Sequence, residues 1–155
     1  MPKRSPSRLL NVDSYVPFFL VVISNKLSRG ASRLYLQRFG VGVVEWRIMV
    51  MLAIYPGSTA KRVCEVIGLD KAPASRTLHT LHGRGLVQNT GVNGRTWSLS
   101  PSGKHLHDKI LVVALQREAS LLIDFTPGEK EQLLVFLRRM MARLPELNQG
   151  VSEED

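Results

Sequence analysis

The 155-residue chain is long enough for one domain or a compact pair of subdomains, and its 44% hydrophobic and 22% charged residues exclude wholesale disorder. Lys and Arg number 21 against 13 Asp and Glu, and the resulting net charge of +8 favours a polyanionic partner. The single cysteine, Cys64, excludes an intrachain disulfide, and the most apolar stretch, residues 16–23, is too short to span a bilayer. We therefore expect a cytoplasmic protein without a membrane partner.

The N-terminal third is predicted to hold a basic arm and two helices. Residues 1–12 contain two prolines and a cluster of Lys and Arg, so we expect a flexible basic arm. Apolar residues then recur at helical spacing over residues 13–39 and occupy more than one face, which predicts a long helix with a second surface to bury. A second helix is predicted over residues 43–55, because Glu45 can cap its amides and Pro56-Gly57 ends it.

Two short helices are predicted next, over residues 59–67 and from Lys71 to Gly85. Gly68 is a suitable left-handed stop for the first helix, and Asp70 is a suitable N-cap for the second.

A hairpin and two longer helices complete the predicted order. Residues 86–92 and 96–99 have the composition of strands, and Asn93-Gly94 between them is a strong hairpin-turn signal. One helix starts at Ser100-Pro101 and runs to about residue 124, and the last opens with a capping box at residues 126–129. Residues 148–155 are predicted to form an acidic, disordered tail. This order indicates a mainly α protein with a small β-wing: about six helices and a two- or three-stranded hairpin sheet, with a winged helix-turn-helix at residues 58–99.

The fourth helix sorts its residues by face. Ala74, Leu78 and Leu81 repeat at i, i+4 and i+7 and should pack inward, which leaves an outward face of small residues around Arg76. Small residues permit close approach to a major groove, and Arg can make paired hydrogen bonds to guanine. The predicted contacts to double-stranded DNA are Lys61, Arg62, Lys71, Ala72, Pro73, Ser75, Arg76, His79, Thr80, Asn93 and Arg95.

Charge supports this position for the interface. Residues 58–104 contain seven cations and two anions, a balance of +5 out of the total of +8. Arg95 stands at the predicted hairpin tip, where it can enter the negative minor groove.

Three segments together resemble one known family. GLDKAPASRTLHTLHGRGLV (68–87), NGRTWSLSPSGKHL (93–106) and the preceding EWRIMVMLAIYPG (45–57) are similar to the core of the multiple-antibiotic-resistance regulator (MarR) family. The resemblance covers residues 13–147 and implies a single domain, with dimerisation regions at 13–40 and 101–147 and a winged-helix DNA-binding lobe at 43–100. It implies a homodimer that represses or activates transcription. A small, aromatic effector often relieves this regulation.

The resemblance also assigns roles within the winged helix. The Lys71–Gly83 helix would read DNA, and the wing would lie at about residues 88–98. The family wing usually reads Asp-x-Arg, whereas this chain has Asn93-Gly94-Arg95. Because the carboxylate partner of the wing Arg is missing, the helix supports the prediction of DNA reading more strongly than the wing does.

The effector cleft of that family points to a second candidate site. Its residues here would be Ser24, Asn25, Ser28, Trp46 and Arg47. The alternative, which we favour, is core packing for Trp46 and a structural ion pair for Arg47, since such clefts are mostly apolar with few polar anchors.

Other readings of the polar residues are weaker. Cys64 is expected to be a buried core residue rather than a redox sensor, and the four histidines lack metal-site spacing. No catalytic or phosphate-binding motif occurs, so we predict neither an enzyme nor a cofactor. The alternative function is a winged-helix protein-interaction module without a DNA target, which predicts little salt-dependent duplex binding. A regulator without an effector also stays open.

Overall fold

The computed structural model describes residues 9–149, so that most of the predicted arm and acidic tail lie outside the described residues. After a short 3-10 turn at Val12–Ser14, this part of the chain forms six α-helices and one three-stranded antiparallel sheet, which confirms the predicted fold class. The helices are α1 (Val16–Phe39), α2 (Val43–Ile54), α3 (Ala60–Ile67), α4 (Lys71–Gly83), α5 (Pro101–Leu121) and α6 (Pro127–Gln149). The strands are β1 (Ser58–Thr59), β2 (Val87–Thr90) and β3 (Thr96–Leu99).

The chain forms two compact units, and the division between them falls inside α5, between Leu111 and Val112. The division of the chain into dimerisation and DNA-binding regions stays a prediction. None of the helices within residues 9–149 combines the length and apolarity that crossing a bilayer requires.

Local hydrogen bonds set the ends of α1 to α3. Gly40 ends α1 with a left-handed φ of 65°, and its N–H donates to Leu36 O. The Glu45 carboxylate accepts from the N–H of Gly42 at 2.7 Å and so caps α2 as predicted. The Thr59 hydroxyl accepts from the N–H of Arg62 at 3.2 Å and caps α3. Each of these helix ends is therefore fixed by residues three or four positions apart in sequence.

The start of α4 differs from the prediction in its chemistry. Asp70 occupies the N-cap position, but its side chain makes no capping hydrogen bond, and only its carbonyl accepts from the N–H of Ala74 at 3.2 Å. The helix ends at Gly83, two residues earlier than predicted, before Gly85 turns the chain with a φ of 70°.

The sheet has the order β1-β3-β2. Ser58 pairs with Trp97, and Val87 pairs with Leu99. Because Thr90 pairs with Thr96, a five-residue loop joins β2 to β3. The predicted hairpin is confirmed, and Asn93 and Gly94 lie in its loop, but β2 ends at Thr90, two residues before the predicted end of that strand.

The first unit has a closed core between its helices and its sheet. The α2 residues Ile48, Met49 and Leu52 are fully or almost fully buried together with Leu78 of α4 and Val87 of β2. This packing fixes α4 against α2 and the sheet, so that the opposite face of α4 is held in a defined orientation.

In the second unit, α6 begins with the predicted capping box. The Glu129 carboxylate accepts from the N–H of Thr126 at 2.7 Å, and the Thr126 hydroxyl accepts from the N–H of Glu129 at 3.2 Å. The pKa of Glu129 lies below its ordinary value because its carboxylate accepts from the backbone N–H of Thr126 and, at 2.9 Å, from the Thr126 hydroxyl.

Candidate nucleic-acid interface

The two faces of α4 differ in burial as the sequence predicts. Ala74, Leu78 and Leu81 have no exposed surface, and they form the inner stripe. On the other side Ala72, Arg76, His79 and Thr80 are exposed, while Pro73 and Ser75 are half-buried.

The guanidinium of Arg76 is the least constrained polar group of this outer face. Its side chain makes no hydrogen bond or ion pair with any residue in the described part of the chain, so its five N–H donors face outward unused. The hydroxyl of Thr80 donates to the carbonyl of Arg76 at 3.0 Å and thereby leaves its own oxygen as an acceptor. The outer face of α4 thus presents a forked donor among small side chains, which suits the edge of a guanine base.

Two histidines join α4 to the sheet. The rings of His79 and His82 meet the buried Trp97 ring edge-on, with centroids 5.6 and 5.7 Å apart. Nδ1 of His82 lies 3.1 Å from the carbonyl oxygen of Val87. His79 therefore has a packing role in addition to its exposed position on the predicted DNA face.

The loop between β2 and β3 forms the tip of the wing. Asn93 and Arg95 are exposed there, and Arg95 has no carboxylate partner in the region that the structure describes. Gly91 has a φ of 93°, and a Cβ at this position would lie 2.9 Å from the Thr96 hydroxyl. That hydroxyl also donates to the carbonyl of Thr90 at the base of the loop, and the N–H of Gly94 donates to the carbonyl of Gly91 at 3.3 Å within the loop.

The cations around α3 and α4 differ in how freely they can bind an anionic partner. Lys61 lies 3.9 Å from Glu65, an exposed pair that holds it weakly. Arg84 forms an ion pair with Glu45 at 3.2 Å, which removes it from the free positive charge of this region. Lys71 is exposed at the start of α4.

Arg62 is held in a different way. Its guanidinium carbon lies 4.7 Å from the centroid of the Tyr55 ring, a cation–π contact. This contact fixes the position of the cation without using its N–H donors.

The predicted effector residues lie in three different settings. Trp46 is buried, and its ring stacks on His107 with centroids 5.2 Å apart. Arg47 donates to the Ser28 hydroxyl at 2.7 Å, so the expected ion pair is wrong and a hydrogen bond between α2 and α1 takes its place. Ser24 and Asn25 are exposed on α1.

An open groove of about 260 Å³ lies between α2 and α3. Its lining consists of Trp46, Arg47, Val50, Met51, Ile54, Tyr55, Val66 and Ile67. The sequence predicts a cleft role for Trp46 and Arg47 of this lining but for none of its α3 residues, because no local pattern shows which helix packs beside α2. Across residues 9–149 no three His, Cys, Asp or Glu side chains converge on a point suited to a metal ion, and Cys64 is half-buried.

Comparison with known proteins identifies the fold and the family. A family model described as the MarR family matches residues 39–95. The structure of a MarR/EmrR family transcriptional regulator from Acinetobacter sp. ADP1 is 30% identical, with a TM-score of 0.81, and the match covers 88% of this chain and 99% of that one. No curated protein matches the chain.

Two more distant structures share the fold. The S. aureus MepR–DNA complex is 18% identical with a TM-score of 0.72, over 85% of this chain and 98% of that one. The PcaV transcriptional regulator from Streptomyces coelicolor, in complex with its natural ligand, is 17% identical with a TM-score of 0.69, over 87% and 97%. Because the Acinetobacter relative reaches 30% identity over almost the whole of both chains, this protein belongs to the MarR family of transcriptional regulators.

Proposed function

We propose that this protein is a transcriptional repressor that binds a pseudo-palindromic DNA operator as a homodimer and is released by a small, aromatic effector. The observation that carries the proposal is the outer face of α4, where the unpaired Arg76 stands among small residues above a fully buried inner stripe. MepR, which shares the fold, has been solved with DNA, and this supports DNA as the ligand of the same face here.

The proposed contacts divide by role. Arg76 reads a guanine or a phosphate, and Ser75 positions the helix in the major groove. Lys61, Arg62 and Lys71 bind phosphates. The rest of the helix surface consists of Ala72, Pro73, His79 and Thr80. At the tip of the wing, Asn93 and Arg95 enter the minor groove.

The homodimer is supported by apolar surface that neither unit buries alone. The first half of α1 exposes Val16, Phe18, Phe19, Val21 and Ile23. Within the second unit, α6 has no buried residue and exposes Leu134, Val135, Phe136, Met141, Leu144 and Leu147. Patches of this kind mark association surfaces, and a two-fold dimer would place two copies of α4 on successive major grooves.

The effector is supported by the groove beside Trp46 and Arg47 and by the ligand complex of PcaV, which shares the fold. Ser28 holds Arg47, while Ser24 and Asn25 lie along the same stretch of α1. We place the effector within reach of these residues.

A salt titration tests the DNA-binding function. Duplex affinity of the wild-type protein should fall steeply between 50 and 200 mM salt, by roughly 10³–10⁵ if six to ten phosphates are contacted. Binding that is absent, or that does not respond to salt, would reject DNA as the partner and favour the protein-interaction module.

A further inference from the structure

One aromatic ring holds a cation of the proposed DNA-binding surface. The guanidinium of Arg62 lies over the ring of Tyr55, with its carbon 4.7 Å from the ring centroid. The Arg62 side chain makes no hydrogen bond or ion pair with the residues that the structure describes, so the ring is the group that holds it there. Its N–H donors stay available to an anion, because a cation–π contact uses the face of the ring and no donor.

The backbone that carries this ring is held at both of its polar groups. Tyr55 follows the last residue of α2, and its N–H donates to the carbonyl of Met51 at 2.9 Å. The hydroxyl of Ser58, a buried residue of β1, donates to the carbonyl of Tyr55 at 2.7 Å. The ring therefore extends from a fixed point at the end of α2, although part of its surface is exposed.

The turn that follows Tyr55 is joined to the sheet beside α4. The N–H of Gly57 donates to the carbonyl of Trp97 at 2.9 Å and to the hydroxyl of Ser98 at 2.8 Å, both on β3. The ring of Trp97 in turn meets the ring of His79, which is exposed on the outer face of α4. The cation on the Tyr55 ring is therefore placed relative to the helix that we propose reads DNA.

The neighbouring cation of α3 lacks such a support. Lys61 precedes Arg62 in the sequence and lies 3.9 Å from Glu65, in a pair whose side chains are both exposed. An exposed pair of this kind constrains its members little. A long side chain that is free in solution loses rotamer freedom when it binds a phosphate, whereas one that is already held loses less. Replacing Tyr55 should therefore affect a phosphate contact of Arg62 and not one of Lys61.

We propose that Tyr55 is a positioning residue for DNA binding: its ring holds the Arg62 guanidinium in the place where it binds a phosphate. Tyr55 is not among the contacts that the sequence predicts, and in this role it touches Arg62 and not the duplex. The inference rests on the proposed DNA-binding function, and it adds a residue through which the end of α2 contributes to affinity. It requires the ring of Tyr55 and not its hydroxyl.

Duplex dissociation constants of variants of the full-length protein test this role. On a random-sequence duplex, which reports phosphate contacts, Tyr55→Leu should bind about two- to fivefold more weakly per contact, the range of an exposed cation–π contact, and two copies would multiply this to about 5- to 25-fold. Tyr55→Phe should bind like the wild type, since phenylalanine keeps the face of the ring. Because Tyr55 is 43% exposed, both variants should unfold at close to the wild-type urea concentration. Tyr55→Gln is a second variant without the ring, for the same comparison if Tyr55→Leu proves less stable.

The same change in three backgrounds separates positioning from a structural role. In Arg62→Gln, which lacks the held cation and whose salt dependence should fall by about one phosphate per copy, the further change Tyr55→Leu should have no effect on the dissociation constant. In Lys61→Gln, the matched control, the further change should weaken duplex binding as much as it does in the wild type. A structural role of Tyr55 would weaken binding in all three backgrounds.

The outcomes separate failure of the inference from failure of the proposed function. If the wild-type protein does not bind duplex at low salt, the DNA-binding function fails and the inference falls with it. If the wild type binds, the inference alone is overturned when Tyr55→Leu binds as tightly as the wild type, or when it weakens binding equally with and without Arg62. It is also overturned if Tyr55→Phe binds as weakly as Tyr55→Leu, because the hydroxyl is then the group that acts.

Discussion

At the scale of single residues, the availability of a charged group depends on its neighbours more than on its position in the sequence. Arg84 lies on the same segment as Arg76, but Glu45 pairs with it at 3.2 Å, whereas Arg76 has no partner among the described residues. Composition predicts the total positive charge of this region. The sequence does not show which cations are neutralised, because Glu45 is 39 residues away from Arg84 along the chain.

Replacing Arg76 with alanine should weaken operator binding and leave folding unchanged. If Arg76 makes a paired base contact, the loss is about 1–3 kcal/mol, with relaxed selectivity at one base position. A gel-shift titration with matched and mismatched duplexes measures both effects. Arg29→Ala removes an equal charge from an exposed position on α1 and should have a much smaller effect. Unchanged affinity and selectivity in Arg76→Ala would reject a base-reading role for this residue.

Replacing Gly103 with alanine should destabilise the first unit. A Cβ at Gly103 would lie 1.8 Å from the carbonyl oxygen of Leu86, and this backbone oxygen cannot rotate away. We expect a loss of about 1–3 kcal/mol in unfolding free energy, the usual range for an overpacked site, measured by urea denaturation.

The control for this substitution is Gly83→Ala in the last turn of α4. A Cβ there meets nothing within 4 Å, so the variant should be neutral or more stable by up to about 1 kcal/mol. Equal urea denaturation midpoints for Gly103→Ala and the wild type would show that the contact between α5 and Leu86 is not rigid.

At the scale of elements, the sequence predicts the caps of α2 and α6 and the hairpin of β2 and β3, but not the strand β1. The cap of α2 by Glu45 and the capping box of α6 depend on residues three positions apart, which sequence patterns show directly. The strand β1 has two residues, and only its pairing with Thr96 and Trp97 defines it. The strand β2 ends two residues earlier than predicted, because the pairing of Thr90 with Thr96 sets the length of the loop and the local Asn-Gly signal does not show it.

The capping box makes the stability of α6 depend on pH. The pKa of Glu129 is lowered from 4.5 in the folded state, so its ionised form stabilises α6 above pH 4.5. This contribution is lost as pH falls from 4.5 through the lowered pKa. Urea unfolding monitored across this range should therefore show a smaller pH dependence for Glu129→Gln than for the wild type.

Glu131→Gln is the control for this pH experiment. Glu131 is also exposed on α6, and it makes no hydrogen bond with the residues that the structure describes. The control should keep the pH dependence of the wild type. If the unfolding free energy changes with pH by the same slope in Glu129→Gln and in the wild type, the capping carboxylate does not contribute to folding.

At the scale of the whole molecule, the proposed regulator requires two copies of the chain. The exposed apolar faces of α1 and α6 favour association, and a two-fold dimer would bind a site with matching two-fold symmetry. The sequence predicts the first of these surfaces, because the helix over residues 13–39 is apolar on more than one face. It does not give the operator, because base preference depends on the docking angle of α4 and on the shape of the DNA.

Selection of bound sequences from a random duplex pool tests the central proposal most directly, because it examines DNA reading and dimer geometry in one measurement. The proposal predicts enrichment of two inverted half-sites with centres about 10 bp apart, or a multiple of that spacing. It also predicts that the enrichment weakens when Arg76→Ala replaces the wild type. A pool without enriched sequences, or one enriched in a single unpaired half-site, would contradict a dimeric regulator that reads its operator through α4.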